Sequence, residues 1–362
     1  MKNKKSLIII LLAVSVITGC ISLTDDIELR KNRYGYSELQ LMDLNFTITD
    51  EYDDGPYLFY GENGLQQHEI VKGKLITTRV TDHYPESFAP ASSKIAFNGK
   101  IAALSDIHGQ FDVFTSLLES NGIVDDQLKW QFGDGMLVIT GDVFDRGPQV
   151  LDILWMLYRL EQEAKTQGGQ VQFLLGNHEH MVLAGDLRYL HDFYDKTAEL
   201  FGREYHHLFD NQSVLGRWLR SKSTLLQVND TLFVHGGLSS QFVEQGLDIE
   251  KINKGYRASI DAAADPNGNF APLHDRDSPI WYRGYFLDRN LDQDTVDALM
   301  AKAGVSRIVV GHTSMQAVTA YFNNKVIAVD TSIKKGKQGE LLFIDGQKLI
   351  RATFQGEQVP LN

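Results

Sequence analysis

The chain has a single cysteine in 362 residues. One thiol cannot close an internal disulfide, and no group of thiolates is present to hold a structural zinc knot. A basic arm is also missing: the 35 lysines and arginines are scattered, against 47 acidic residues and a formal charge of -12. That distribution argues against a nucleic-acid surface. It does not exclude a phosphorylated substrate, because bound metal ions and a few arginines set the local field against the global one. The apolar run SLIIILLAVSVI near the N-terminus is too short for a mature transmembrane helix.

That run reads as the core of a secretion signal. MKNKK precedes it as a basic segment, and ITGC, Ile17 to Cys20, follows it. Small Thr18 and Gly19 stand directly before the lone cysteine, a spacing that resembles a bacterial lipobox. Cleavage before Cys20 would leave a thiol for lipidation and remove Lys2, Lys4 and Lys5, taking the formal charge from -12 to -15. The residue after Cys20 is Ile21 rather than aspartate, so nothing argues for retention at an inner membrane. The expected location is the cell envelope, lipid-anchored on the periplasmic side, in the outer membrane where one exists.

The sequence divides into a signal over 1–19, a tether with a small β-rich element over 20–95, a catalytic domain over 96–350 and a tail over 351–362. The β-rich element is expected from PYLFYG and KLITTRV as strands around a turn at Glu62-Asn63-Gly64. Residues 84–95, with Pro85 and Pro90, read as a linker. After Lys100 a rhythm of apolar strand, polar loop and helix repeats through IAALSDIHG, MLVITGDVFDRG and VQFLLGNHEH. This is an α/β pattern, a parallel or mixed sheet with helices packed on it and a ligand site at the strands' carboxyl ends. KVIAVDTS and GELLFIDG read as closing antiparallel strands joined by a Lys/Gly turn.

Five apolar strands end in related residues beside glycine: Asp106 with His108, Asp142, Asn177, His235 and His312. Each alone is an ordinary turn, cap or core residue. Five together are hard to obtain from capping. Two carboxylates, an amide oxygen and three imidazoles suit borderline divalent metals such as manganese, iron or zinc. They are enough for two ions if one carboxylate bridges, and a two-metal site serves phosphoryl transfer.

DIHG (106–109), GDVFDRG (141–147), GNHE (176–179), HGG (235–237) and GH (311–312) resemble the calcineurin-like metallophosphoesterases. Within them the pattern is most similar to the phosphoprotein phosphatase group. SPIWYRG (278–284) and the secreted setting resemble its cold-adapted Shewanella-type bacterial branch, described as protein-tyrosine phosphatases. The resemblance, over about residues 98–345, implies a metallophosphoesterase-like β-sheet sandwich flanked by helices. It implies that Asp106 and His108 hold a first metal, Asp142 bridges, and Asn177, His235 and His312 complete a second. A bridging hydroxide would attack phosphorus in line. Arg146 and Arg283 would clamp phosphate oxygens, and His178, paired with Asp145, would protonate the leaving group.

Two residues depart from the group's pattern. Leu175 stands before the GNHE glycine, where eukaryotic members commonly have arginine, and His180 follows the motif without a role in it. His180 is expected at the rim of the site or just behind its ligands, rather than as a ligand. Tyr282 and Tyr285 flank Arg283 and serve either an aryl phosphate or packing. The leading expectation is a two-metal phosphomonoesterase acting on phosphoprotein, phosphotyrosine before phosphoserine or phosphothreonine. Hydrolysis of small phosphates, diesters or dinucleotide polyphosphates is the alternative within enzymes. A non-catalytic metal-binding envelope module is the alternative outside them, disfavoured by the complete ligand set.

Overall fold

The structure is a computed structural model that describes residues 52–361, except 63, 91 and 263–269, together with the backbone of three short strands before them. Those strands, β1 (Glu28–Lys31), β2 (Ser37–Leu41) and β3 (Leu44–Phe46), form an antiparallel sheet in a separate unit over residues 1–52. The signal over 1–19 and Cys20 lie outside the described residues.

The second unit begins with β4 (Asp54–Gly61), β5 (Gly64–Val71) and β6 (Lys74–Arg79), an antiparallel meander of three strands rather than the expected two. The strand missed is GLQQHEIV, whose only deeply buried residue is Ile70. A half-exposed, glutamine-rich strand lacks the apolar alternation that marks a buried face. Tyr57 and Phe59 pack into the main helical core, so this meander belongs with the sheets that follow.

Two six-stranded sheets follow. The first has the order β10 (Gln170–Phe173), β9 (Met136–Ile139), β8 (Ile101–Leu104), β16 (Glu340–Asp345), β17 (Lys348–Thr353) and β18 (Gln358–Pro360). The second has the order β14 (Thr319–Tyr321), β15 (Val326–Ala328), β13 (Arg307–Val310), β12 (Thr231–Val234), β11 (Leu225–Val228) and β7 (Lys94–Ile95). The residues expected as a tail after 350 thus pair at the edge of the first sheet.

Side chains alternate between faces, and the core follows. Ile101, Ala103, Met136 and Val138 of the first sheet pack against Leu226, Phe233, Val309 and Ile327 of the second. Ala102, Leu104, Leu137 and Ile139 face the other way, toward α1 (Phe111–Ser120) and α2 (Val150–Thr166). Leu232, Val234, Ile308 and Val310 face α7 (Ile249–Ile260) and α10 (Gln293–Ala303), counting helices in chain order. Every residue of β8, β9 and β12 is buried. This explains why they read as unbroken apolar runs.

β8, β9 and β10 run parallel, and so do β12, β13 and β15. β15 and β16, expected as partners, lie in different sheets. Their apolar patterns identify strands without identifying neighbours. The segment between them crosses from sheet to sheet.

Candidate metal centre

The loops after β8, β9, β12 and β13 and the helix α3 (Asn177–Leu183) after β10 bring the expected ligands together. Asp142 is the hub: its Oδ2 lies 3.2 Å from His235 Nε2, 3.6 Å from His108 Nε2 and 3.8 Å from His178 Nε2. His108 Nε2 is also 3.7 Å from Asp106 Oδ1. His235 Nε2 faces Asn177 Oδ1 at 2.9 Å and His312 Nδ1 at 3.1 Å. All six expected ligands are buried.

The backbone is bent to achieve this. Asp106, His108, Asp142, Asp145, Arg146 and His312 all have positive φ, between 49° and 70°, a region that costs energy for residues with a Cβ. Gly141 is required for the same turn: its φ is 102°, and a Cβ there would lie 2.5 Å from the Gly176 nitrogen. At Gly311 a Cβ would fall 2.6 Å from Asp106 Oδ2.

Glu179 locks the arrangement. Its Oε2 accepts the N–H groups of Gly176 at 2.7 Å and Asp142 at 2.8 Å. Its Oε1 accepts those of Val143 at 2.7 Å and Phe144 at 3.1 Å. The bond to Gly176 is the back-reach of a capping box at the start of α3. The same carboxylate thereby ties α3 to the GDVFDRG loop. Burial and the neighbouring Asp142 raise its carboxyl, and the backbone donors offset part of that rise.

The donor set fits divalent ions. Nε2 of His108 and Nε2 of His312 are buried without a hydrogen-bond partner, whereas the opposite nitrogen of His108 faces the Phe144 carbonyl at 2.7 Å. His235 Nδ1 faces the Thr140 carbonyl at 2.8 Å. Such outer bonds orient each ring with its Nε2 toward the centre. Two groups, His108–Asp142–His178 and Asp142–His235–His312, have ligand atoms close enough to share an ion. Burial opposes charge on His235, but Asp142 and Asp106 outweigh it and hold the imidazole up at about 9. Asp142 is itself held well below the usual carboxylate range, with His235 and His178 overcoming the effect of burial.

His178 faces both ways. Its Nδ1 lies 2.5 Å from Asp145 Oδ2, and its Nε2 points to the centre, 3.3 Å from Arg146 Nη2. Burial disfavours its charge, but Asp142 and Asp145 raise its pKa above the ordinary value. Arg146 is exposed and stacks over Tyr189, whose ring also lies 5.2 Å from that of His178. Arg283 donates to the His312 carbonyl at 2.5 Å and sits beside Thr313. Both arginines therefore edge the expected ligands.

Tyr285 is a packing residue. It is buried, and its hydroxyl exchanges hydrogen bonds with the Leu238 backbone at 2.9 and 3.1 Å. Tyr282 stacks on it edge-on. Of the two places expected for His180, the structure has the inner one: it is buried, in contact with the rings of Tyr256 and His274. With Asn177, Met181, Phe270, His274 and Trp281 it lines a cavity of about 460 Å³. Burial pushes its pKa down to about 3, with His274 and His235 adding to the effect.

Four residues at the site escaped the sequence reading: Tyr189, Trp281, Asp330 and Lys334. Trp281 meets the His312 ring edge-on at 5.6 Å. Asp330 is fully buried, and burial with Asp106 pushes its carboxyl up to about 6. Lys334 contacts Asp330 and Asp106. Trp281 and Tyr189 carry no ligand signature. Asp330 has one, an acidic residue after an apolar strand, but the pattern of KVIAVDTS reads as half of a hairpin.

The calcineurin-like phosphoesterase family matches residues 99–316. The chain belongs to that family. It is 28% identical to Shewanella-like protein phosphatase 2 of Arabidopsis thaliana over 285 residues, 66% of this chain and 72% of that one. The cold-active protein-tyrosine phosphatase of a psychrophilic Shewanella species is similar in structure, with a TM-score of 0.81 and 39% identity, covering 86% of this chain and 99% of that one. A symmetrical bis(5'-nucleosyl)-tetraphosphatase of Neisseria meningitidis is 27% identical over 188 residues, 50% of this chain and 58% of that one.

Proposed function

We propose that the protein is a two-metal phosphomonoesterase acting on phosphoprotein, with phosphotyrosine as the favoured residue. The observation that carries this is the setting of Asp142. One buried carboxylate oxygen faces three imidazoles, from β8, β12 and α3. The likeness to a Shewanella tyrosine phosphatase at 39% identity supports the substrate class.

In this reading Asp106, His108 and Asp142 would hold one ion, and Asp142, Asn177, His235 and His312 would hold the other. Bound there, the pair supplies Lewis acidity toward phosphate oxygens and a nucleophilic hydroxide at neutral pH. Arg146 and Arg283 bind the remaining phosphate oxygens and orient the ester. As the bond from phosphorus to the leaving oxygen breaks, His178 passes its Nε2 proton to that oxygen. Asp145 holds the ring from behind and stabilises its charged form. Glu179 keeps the loop carrying Asp142, Asp145 and Arg146 in register with Asn177 and His178.

The test is a set of rates on phosphotyrosyl and phosphoseryl peptides, a phosphodiester and a dinucleotide tetraphosphate, with each metal reconstituted after chelation. Phosphotyrosyl peptides should lead, and Asp142→Asn should abolish turnover. Preference for the dinucleotide would replace this reading with that of the tetraphosphatase relatives. Activity that survives stringent chelation with no metal bound would reject the metal chemistry. For location we propose a lipid anchor at Cys20, which mass analysis of the mature N-terminus tests directly. An unmodified terminus removes it.

A further inference from the structure

The crossing between β15 and β16 passes over the metal centre and is tightly fixed. Asp330 Oδ1 accepts the Ser332 N–H at 3.0 Å, and its Oδ2 accepts the Ser314 hydroxyl at 2.7 Å. The Asp330 carbonyl accepts the Met315 N–H at 2.8 Å. Ser332, at a φ of 66°, turns the chain, and its hydroxyl donates to the Met315 carbonyl at 2.9 Å. Ile333 is buried in the core of the first sheet. One helical turn, Ile333–Lys335, then returns Lys334 over Asp330.

The ammonium placed this way has two carboxylates. Lys334 Nζ lies 3.1 Å from Asp330 Oδ2 and 3.7 Å from Asp106 Oδ1, with its side chain only 20% exposed. The two oxygens of Asp106 differ. Oδ2 accepts the His312 N–H at 2.9 Å, while Oδ1 is the one facing His108 Nε2. A metal held by Asp106 and His108 would therefore claim the same oxygen that Lys334 approaches.

We propose that Lys334 is a displaceable cation of the first metal subsite. Without an ion it bridges Asp106 and Asp330; when an ion enters, it withdraws onto Asp330 alone. Asp330, fully buried, needs a counter-charge in both states, whereas Asp106 needs one only until metal arrives. Lysine suits this exchange because its charge is compact and its stem flexible, and an arginine fork would be committed to one geometry. The lysine keeps the empty ligand cluster from repelling itself, and it weakens metal binding by competing for Oδ1. The inference rests on the reading of Asp106 as a metal ligand.

The experiment uses the full chain stripped of metal. Manganese is titrated by calorimetry into the wild type, Lys334→Met, Lys334→Met/Asp330→Asn and Asp106→Asn, and melting is recorded with and without the ion. The double variant keeps the comparison open if unpaired Asp330 prevents folding of the single one. Both lysine variants should bind manganese about fivefold or more tightly, and the interval between metal-free and loaded melting temperatures should widen. Unchanged or weaker binding would overturn the role of Lys334. Should the wild type take up no manganese, the reading of Asp106 fails with it. If Asp106→Asn loses a site while Lys334→Met matches the wild type, only the lysine inference falls.

Discussion

His178 and His180 stand two residues apart and carry opposite electrostatics. His178 has Asp145 on Nδ1 and Asp142 facing Nε2, and these carboxylates outweigh burial to raise its pKa. It is suited to donate a proton, which an alkoxide needs far more than a phenolate. In His178→Ala, turnover of a phosphoseryl peptide should fall by about 10³, and that of an aryl phosphate much less. Equal losses on the two substrates would reject the donor role. Among the described residues no carboxylate offsets the burial of His180, which holds it neutral, its pKa pushed down to about 3 against an ordinary 6.5. Above pH 6.5 both folded and unfolded states carry it uncharged. Below that the unfolded chain takes up the proton first, so stability is lost progressively as pH falls toward 3. By linkage the loss at pH 5 is about 2 kcal/mol. His180→Gln should shrink the difference in unfolding free energy between pH 7.5 and pH 5 by about that amount. A variant with the wild-type pH dependence would refute the assignment.

At the scale of elements, the link between α3 and the β9 loop governs the site. Glu179→Gln leaves one acceptor oxygen and introduces an NH₂ group facing backbone donors. The variant should lose about 3 kcal/mol of stability and bind metal more weakly, read by urea denaturation and calorimetric titration. Retained stability would mean that the four contacts are dispensable. Glu179 was legible only in part: GNHE identified a site, but the reach to Asp142, Val143 and Phe144 joins residues more than thirty positions apart. The strand ends themselves were legible because each buried strand is a short apolar run closed by glycine and a polar residue. DIHG, GDVFDRG, GNHE, VHGG and GHT all keep that form. The partner of a strand was not. β15 and β16 have the composition of a hairpin, yet each finds its neighbour in a different sheet, and that decision is made by long-range packing. Asp330 and Lys334 were missed for this reason, since their placement depends on the crossing.

At the scale of the whole chain, the net charge is opposite in sign to the cations beside the candidate site. The chain carries a formal charge of -12, while Arg146, Arg283 and Lys334 gather at one edge of the sandwich. On the proposed reading, a phosphopeptide would be drawn in by the local field of these cations and opposed by the acidic surface. Exposed charges are screened beyond about 8 Å at physiological salt, so added salt should weaken the distant repulsion more than the contacts at the site. Substrate charge decides the sign of the effect. For a phosphotyrosyl peptide with acidic flanks, kcat/KM should rise as salt goes from low to physiological, by about threefold, within the range electrostatic steering spans. With basic flanks it should fall, because the attraction of the acidic surface is lost. Steady-state rates on the two peptides across a salt series check this. If both move in the same direction, the global charge has no part in capture, and the three cations at the edge alone set the encounter.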